Sequence, residues 1–187
     1  MTDLCEELLL TMKRAGAMLR RLDIPFALMG GFAVYARGGT SSDHDVDFLI
    51  RECDANRVLA AFAEAGFEIE RPPEDWLVKA YDEGRLIDFI FRPVERPVTD
   101  DILAEAETIQ VSGMYLPVMP ASTLMVHKLL AFNQHYCDFA RAMPLARSLR
   151  EQIDWDLVRR ETKQSPYAQA FLVLLEDLQL LSEEVIA

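Results

Sequence analysis

The sequence lacks several features that mark particular classes of protein. It has three cysteines in 187 residues, Cys5, Cys53 and Cys137, and their odd number and wide spacing argue against a disulfide framework and a zinc site. No apolar run reaches the roughly 18 residues that cross a bilayer, and the acidic start MTDLCEELLL has no basic secretory region. These absences predict a cytoplasmic protein with no membrane partner.

Positive charge is also scarce. The 19 lysines and arginines are outnumbered by 31 acidic residues, which leaves a net charge of −12. Polyanions are attracted by clustered basic residues, so this balance disfavours a broad nucleic-acid interface and favours a small-molecule substrate. Local groups of basic residues could still bind the end of an RNA, so an RNA partner stays an alternative. These groups are Arg141, Arg147 and Arg150, and Arg159 with Arg160.

The spacing of apolar residues predicts a chain that mixes helices and strands. We expect residues 1–120 to form the core with an N-terminal helix, and residues 121–187 to form a helical region packed on it. The predicted helices are Leu4–Leu22, Phe32–Arg37, Asp54–Gly66, Ile102–Ala106 and the chain from Ala121 onward. The predicted strands are Pro25–Met29, the segment after His44, Trp76–Tyr81, Arg85–Phe91 and short pieces around Ile109 and Tyr115.

The run LMGGFAVYARGGTSSDHDVDFLI, residues 28–50, carries the strongest chemical signal. Alternate side chains of a strand share a face, so Asp45 and Asp47 point to the same side. Two neighbouring carboxylates raise the pKa of one of them unless a cation neutralises the pair. Because carboxylate oxygens suit Mg²⁺ or Mn²⁺, the pattern predicts a divalent-metal site. The plainer alternative is a polar turn before a strand.

A third carboxylate, Asp88, is the only acidic residue in the apolar segment Arg85–Phe91. Burying it without a partner costs several kcal/mol, so a cation is expected beside it. If its strand lies next to the first one, the three carboxylates form a cage that can hold two ions about 3.5–4 Å apart. The alternative is an ordinary ion pair with Lys79 or Arg92.

Gly30 and Gly31 lie between the predicted strand that ends at Met29 and the predicted helix that begins at Phe32. Glycine lets a phosphate approach the backbone closely, and the N–H groups at a helix start favour an anion. A Gly-Gly pair alone is a weak signal. Its weight comes from the order strand, Gly-Gly, helix, Asp-x-Asp strand and later Asp.

Together these residues resemble the signature of the nucleotidyltransferase-fold superfamily, which includes polymerase-beta-like enzymes. Gly30, Gly31, Asp45, Asp47 and Asp88 match its Gly-Gly, Asp-x-Asp and later Asp. The runs GGFAVYARGG and MPASTLMVHKLLAF are most similar to the compact bacterial branch of abortive-infection-type toxin and lincosamide-type antibiotic nucleotidyltransferases. The resemblance implies an α+β fold with a small mixed β-sheet, flanking helices and C-terminal helices.

The same resemblance implies further nucleotide-binding residues. Lys128 matches a lysine that members of that branch bring toward the nucleoside triphosphate, and Asp138 is the candidate for an aspartate near the start of the next helix. Ser41 and Asp43 stand where many members have Arg and Thr, so Ser41 offers the donor a single hydroxyl in place of a bidentate clamp. An exposed helix lysine with no role is the alternative for Lys128.

Two hypotheses of different classes follow from the sequence. The first is a nucleotidyltransferase that uses Mg²⁺ or Mn²⁺ to move a nucleoside monophosphate from a triphosphate such as ATP to an acceptor that is a small molecule, a tRNA or a protein. The second is a non-catalytic nucleotide-binding sensor, or a toxin–antitoxin partner subunit, with the same fold. The carboxylates Asp45, Asp47 and Asp88 favour the first, because a binding module has no need of a repulsive cluster.

Overall fold

The computed structural model describes residues 4–40 and 44–181. Within these residues, seven strands form one mixed sheet in the order β3-β4-β5-β2-β1-β7-β6. The strands are β1 (Phe26–Met29), β2 (Asp45–Ile50), β3 (Glu68–Glu70), β4 (Leu77–Asp82), β5 (Arg85–Ile90), β6 (Glu107–Val111) and β7 (Met114–Val118). The helices are α1 (Leu4–Arg21), α2 (Gly30–Ala36), α3 (Ala55–Glu64), α4 (Asp100–Ala104), α5 (Ala121–Leu130), α6 (Phe139–Ser148), α7 (Trp155–Thr162) and α8 (Pro166–Asp177).

The predicted mixture of helices around a mixed sheet is confirmed, and the helices and strands predicted before Ala121 are present to within a few residues. The structure also contains one strand, β3, that the sequence did not predict. Its sequence is Glu-Ile-Glu, all three residues are exposed, and it pairs only with β4 at the edge of the sheet. Glutamate is depleted in strands, so nothing in the local sequence separates this segment from a loop.

The middle of the sheet sets the geometry of the charged residues. β2 runs parallel to β5 and antiparallel to β1, and Asp47 lies opposite Asp88 on one side and Met29 on the other. The alternating residues Val46 and Phe48 are fully buried on the opposite face. The period of two along β2 therefore separates an apolar core face from a charged face.

The core beneath β2 is aromatic. The rings of Phe48 and Phe89 stack with centroids 6.2 Å apart, and Phe62 of α3 packs edge-on against Phe89 at 4.9 Å. All three side chains are fully buried. This packing fixes β5 beside β2, and the position of the carboxylates on the other face follows from it.

A tight turn fixes the register of the β4–β5 hairpin. Glu83 and Gly84 have φ values of 52° and 81°, as the two central residues of type I′ hairpin turns do. Asp82 consequently pairs with Arg85, and further along the same ladder Lys79 lies opposite Asp88. The register of this turn decides which residue of β4 is the neighbour of Asp88.

Helices dominate the chain after β7, as predicted. α5 packs against α2, α7 and α8, which brings the C-terminal helices over the turn that joins β1 to α2. The division at residues 120 and 121 stays a prediction. Among the described helices, none combines the length and the apolarity needed to span a membrane.

Candidate active site

Three carboxylates converge on the charged face of the sheet. Asp45, Asp47 and Asp88 each offer an oxygen atom within 4.8 Å of the others, and we call this group the carboxylate triad. Asp45 and Asp47 share a face because they alternate along β2, and Asp88 joins them because β5 pairs with β2 in register. The structure therefore brings together the three residues that the sequence predicts as metal ligands.

Burial and mutual repulsion act on the triad. The pKa of Asp47 is raised well above its ordinary value, mainly by burial of the carboxylate and then by the charges of Asp45 and Asp88, while Lys128 and Lys79 oppose the shift. Burial also raises the pKa of Asp88, against the lowering effect of Lys79. The protein alone therefore does not fully compensate these negative charges, which is the condition for cation binding that the sequence predicts.

The position of Asp88 is compatible with both alternatives that the sequence left open, the metal site and the ion pair with Lys79. Asp88 belongs to the triad, and its Oδ1 lies 3.5 Å from Nζ of Lys79. That distance is longer than the usual 2.7–2.9 Å of a charge-assisted hydrogen bond, and the buried Oδ1 has no hydrogen-bond partner in the structure. Asp88 is 8% exposed, so an acceptor atom is buried and left unsatisfied beside two other carboxylates.

The donor set of the triad fits a hard divalent cation. It consists of carboxylate oxygens alone, which Mg²⁺ and Mn²⁺ prefer, and no histidine or cysteine belongs to the cluster found among the described residues. The unsatisfied Oδ1 of Asp88 supports the same interpretation, because buried polar atoms without a protein partner are rare.

Gly30 has a role that the sequence analysis did not anticipate. Its φ is +60°, and a Cβ atom built there would lie 1.8 Å from Oδ2 of Asp47. A side chain at this position would therefore displace a carboxylate of the triad, apart from the strain of the left-handed backbone. The phosphate role predicted for Gly30 and Gly31 stays a prediction, and α2 has only seven residues.

Two cavities flank the turn at Gly30. The small cavity, of about 250 Å³, lies between α2, α5 and α6. The large cavity, of about 820 Å³, lies against the sheet and includes Asp47 in its wall. Met29, Gly30 and Lys128 line both cavities, so Lys128 stands at the boundary between them, and its triphosphate contact stays a prediction.

The two cavities differ in their polar residues. Gly31, Thr40, Lys128 and Arg141 line the small cavity, which is therefore cationic. The large cavity combines acidic and basic groups with apolar ones. Its lining includes Asp75, Trp76, Ile90, Arg92, Glu95 and His127. A small-molecule pocket in a protein commonly has this size and this mixture of apolar walls with a few polar groups.

The nucleotide contacts predicted for Asp138 and Ser41 stay predictions. Asp138 caps α6, where its carboxylate accepts a hydrogen bond of 3.0 Å from the backbone N–H of Ala140, and it lies 3.6 Å from Arg141. It is not among the residues that line either cavity. Ser41 and Asp43 lie outside the described residues, so the role of Ser41 stays a prediction.

Sequence reasoning missed part of the large cavity. The sequence places Trp76 only at the start of a predicted strand, and for His127 it favours an ordinary helix residue over a ligand, yet both line this cavity with Arg92. Burial lowers the pKa of His127 to about 4, helped by the charge of Arg96, and its Nδ1 is buried without a hydrogen-bond partner. No local motif connects these residues, because they come from separate elements.

Comparison with known families agrees with the geometry. The sequence matches the model of a family described as uncharacterised nucleotidyltransferase over residues 6–183, and the chain therefore belongs to this nucleotidyltransferase family. No curated protein matches the sequence.

Solved nucleotidyltransferases share the fold. The chain is 14% identical to ANT(2'')-Ia, solved with adenylyl-2''-tobramycin, with a TM-score of 0.54 over 89% of this chain and 97% of that one. It is 13% identical to the lincosamide antibiotic adenylyltransferase LnuA, solved with lincomycin, with a TM-score of 0.51 over 69% and 88%. Megavirus polyadenylate synthase is 12% identical, with a TM-score of 0.50 over 77% and 32%. At such identities the likeness shows the fold alone.

Proposed function

We propose that the protein transfers a nucleoside monophosphate from a nucleoside triphosphate to a hydroxyl group of a small-molecule acceptor and releases pyrophosphate. The observation that carries this proposal is the position of the carboxylate triad beside two adjoining cavities that share Gly30 and Lys128. Membership of a nucleotidyltransferase family supports the same reaction class.

The triad would hold Mg²⁺ or Mn²⁺, with Asp45 and Asp47 as the principal ligands and Asp88 completing the set. A bound divalent ion would neutralise charge on the triphosphate and on the transferred phosphoryl group. Lys128 would attract the triphosphate to the small cavity, whose lining it shares with Arg141, an arginine that also pairs with Asp138. The bare backbone at Gly31 lets a phosphate approach closely.

Asp88 would also receive the proton of the acceptor. The acceptor oxygen attacks the α-phosphorus, the bond from that phosphorus to the bridging oxygen of pyrophosphate breaks, and the hydroxyl proton passes to the carboxylate. Burial raises the pKa of Asp88, and a more basic carboxylate is a better proton acceptor. The unsatisfied Oδ1 leaves this carboxylate with capacity to accept a hydrogen bond.

The acceptor is proposed to be a small molecule because the surface offers little to a polyanion. The net charge is −12, and most basic residues that the sequence grouped together are neutralised by acidic neighbours. These ion pairs are Arg141–Asp138 at 3.6 Å, Arg150–Glu151 at 2.7 Å, Arg159–Glu176 at 2.8 Å and Arg160–Glu161 at 3.9 Å. The large cavity, in contrast, has the volume of a small-molecule site.

The test is pyrophosphate release with Mg²⁺ and each of the four nucleoside triphosphates, in the presence of aminoglycosides, lincosamides or total tRNA. We expect release with one class of small molecule, and a loss of about 10³-fold or more in Asp45→Asn because a ligand charge is removed. Asp101→Asn is the matched control, since Asp101 is an exposed residue of α4.

Release that is unchanged in Asp45→Asn would overturn the assignment of the triad. Release that requires tRNA would move the acceptor from a small molecule to an RNA. Metal-dependent binding of a triphosphate, with no release across the whole panel, would favour the sensor or partner-subunit hypothesis. Growth arrest on expression that disappears in Asp45→Asn would point to a toxin with a cellular acceptor.

A further inference from the structure

Lys79 belongs to a row of charged residues that crosses four strands on one face of the sheet. The register pairs Glu70 of β3 with Lys79 of β4, Lys79 with Asp88 of β5, and Asp88 with Asp47 of β2. Directly paired residues have Cβ atoms about 4.5–5.5 Å apart. One positive charge is therefore built into the sheet next to the triad, and the tight turn at Glu83 and Gly84 holds it in that register.

The contact between Lys79 and Asp88 compensates charge without satisfying the carboxylate. Nζ lies 3.5 Å from Oδ1, beyond the about 2.7–2.9 Å of a charge-assisted hydrogen bond, and Oδ1 has no hydrogen-bond partner. The two side chains are 22% and 12% exposed, so solvent screens this charge only in part. The ammonium group thus lies beside Oδ1 of Asp88 without forming a hydrogen bond to it.

The two sides of the triad consequently differ in how favourably they bind a cation, because only the Asp88 side has Lys79 next to it. A divalent ion held mainly by Asp45 and Asp47 would be bound by residues of β2, which lies one strand further from Lys79 than Asp88 of β5 does. A divalent ion that approaches Asp88 meets a like charge at ion-pair distance of that carboxylate. Two cations beside the same carboxylate repel each other, and partial burial reduces the screening of that repulsion by solvent.

We propose that Lys79 is a resident cation of the Asp88 side of the site, where it weakens binding of a second divalent ion in the absence of nucleotide. The protein then holds one ion through Asp45 and Asp47, and the Asp88 side accepts a second ion only when a triphosphate adds negative charge. Lys79 is a positioning residue in this role. The inference rests on the proposed function only for its use of divalent metal.

The test counts Mn²⁺ ions bound by the nucleotide-free protein, by titration with electron paramagnetic resonance of free Mn²⁺ as the readout. We expect one bound ion in the original protein. Lys79→Met, which removes the charge and keeps the chain length, is expected to bind a second ion or to tighten the weakest-bound ion roughly tenfold. Lys163→Met is the matched control, because it removes one positive charge at an exposed position after α7.

A Mn²⁺ number and affinity in Lys79→Met within threefold of the original protein would overturn the proposal. Equal gains in Lys79→Met and Lys163→Met would overturn it too, since net charge alone would then explain them. Lys79→Gln provides a second variant with a polar side chain. Thermal unfolding with and without Mn²⁺ gives an independent readout, in which both Lys79 variants should gain more from Mn²⁺ than the original protein does.

The two proposals fail in distinguishable ways. If Mn²⁺ binding is the same in the original protein and in Lys79→Met, while Asp45→Asn abolishes pyrophosphate release, only the role of Lys79 is wrong. If neither the original protein nor Lys79→Met binds Mn²⁺ without nucleotide, the role of Lys79 is wrong, and pyrophosphate release measured with and without Mg²⁺ then decides the metal dependence of the proposed reaction.

Discussion

Asp82 and Asp88 are buried aspartates of the same β-hairpin, with 5% and 8% exposure, yet their surroundings differ. Asp82 accepts a hydrogen bond of 2.8 Å from Thr11 and another from Arg14, and it lies 3.5 Å from Arg85. Asp88 has one loose contact with Lys79 and an oxygen without a hydrogen bond. Asp82 is stabilised by hydrogen bonds that join the hairpin to Thr11 and Arg14 of α1. Asp88 keeps an oxygen that can still accept a hydrogen bond or bind a cation.

The same contrast extends over the described residues. Buried polar groups away from the cavities have partners: Asp54 accepts from Arg51 at 2.7 Å, Ser122 accepts from the backbone N–H of Asp154 at 2.8 Å, and Thr162 donates to the carbonyl of Val158 at 2.8 Å. The buried side-chain atoms without a partner belong to Asp88, Arg92 and His127, and Arg92 and His127 line the large cavity. Unsatisfied polar groups thus mark the region where substrates are proposed to bind.

The largest effect is expected from Asp88→Asn. Removing the proposed proton acceptor and metal ligand should lower the rate of pyrophosphate release by about 10³-fold or more. The free energy of unfolding without metal should not fall, because the raised pKa of Asp88 shows that the fold disfavours its charged form. Rate assays and denaturant unfolding of the same preparation check both parts. A stable variant with an unchanged rate would remove Asp88 from the chemistry.

Asp82→Asn is expected to do the reverse. It removes the charge that Arg14 pairs with, one of the three carboxylates that Arg85 contacts, and the strong acceptor of the Thr11 hydroxyl, so the free energy of unfolding should fall by about 3 kcal/mol. The rate per folded molecule should stay within about twofold, since Asp82 belongs neither to the triad nor to the lining of either cavity. Denaturant unfolding and rates measured well below the melting temperature separate these effects. Loss of rate without loss of stability would contradict the structural role of Asp82.

The contrast between these residues also explains what the sequence can predict. The Asp-x-Asp spacing and the apolar strand around Asp88 are local patterns, so the triad and its strands follow from periodicity and from the resemblance that Gly30 and Gly31 complete. The pairing of Lys79 with Asp88 depends on the hairpin register, which a turn of two residues sets. The sequence therefore left that ion pair and the metal site as alternatives, although in the structure Asp88 both contacts Lys79 and belongs to the triad.

Other parts of the site depend on tertiary packing. Trp76, Arg92 and His127 meet in the large cavity from a loop, a strand end and α5, and no spacing along the chain connects them. The sequence explains Gly30 by phosphate binding. The closeness of Asp47 to the Cβ position of Gly30 depends on the pairing of β1 with β2 and cannot be derived from local spacing. The edge strand β3 has no apolar face to reveal it.

The smallest effect concerns His127, the unsatisfied group whose titration can be followed through stability. Its pKa is lowered to about 4 by burial and by Arg96, so the folded protein favours the neutral ring. This stability is fully present above the ordinary pKa of about 6.5 and is lost as the pH falls toward 4. Between pH 7 and pH 5 the original protein should therefore lose about 2 kcal/mol more than His127→Gln does. Denaturant unfolding at both pH values measures this difference, with the exposed His135→Gln as control. If the original protein and His127→Gln lose the same free energy of unfolding between pH 7 and pH 5, the fold does not hold this ring neutral. His127 would then no longer count as a buried group without a partner, in contrast to Asp82.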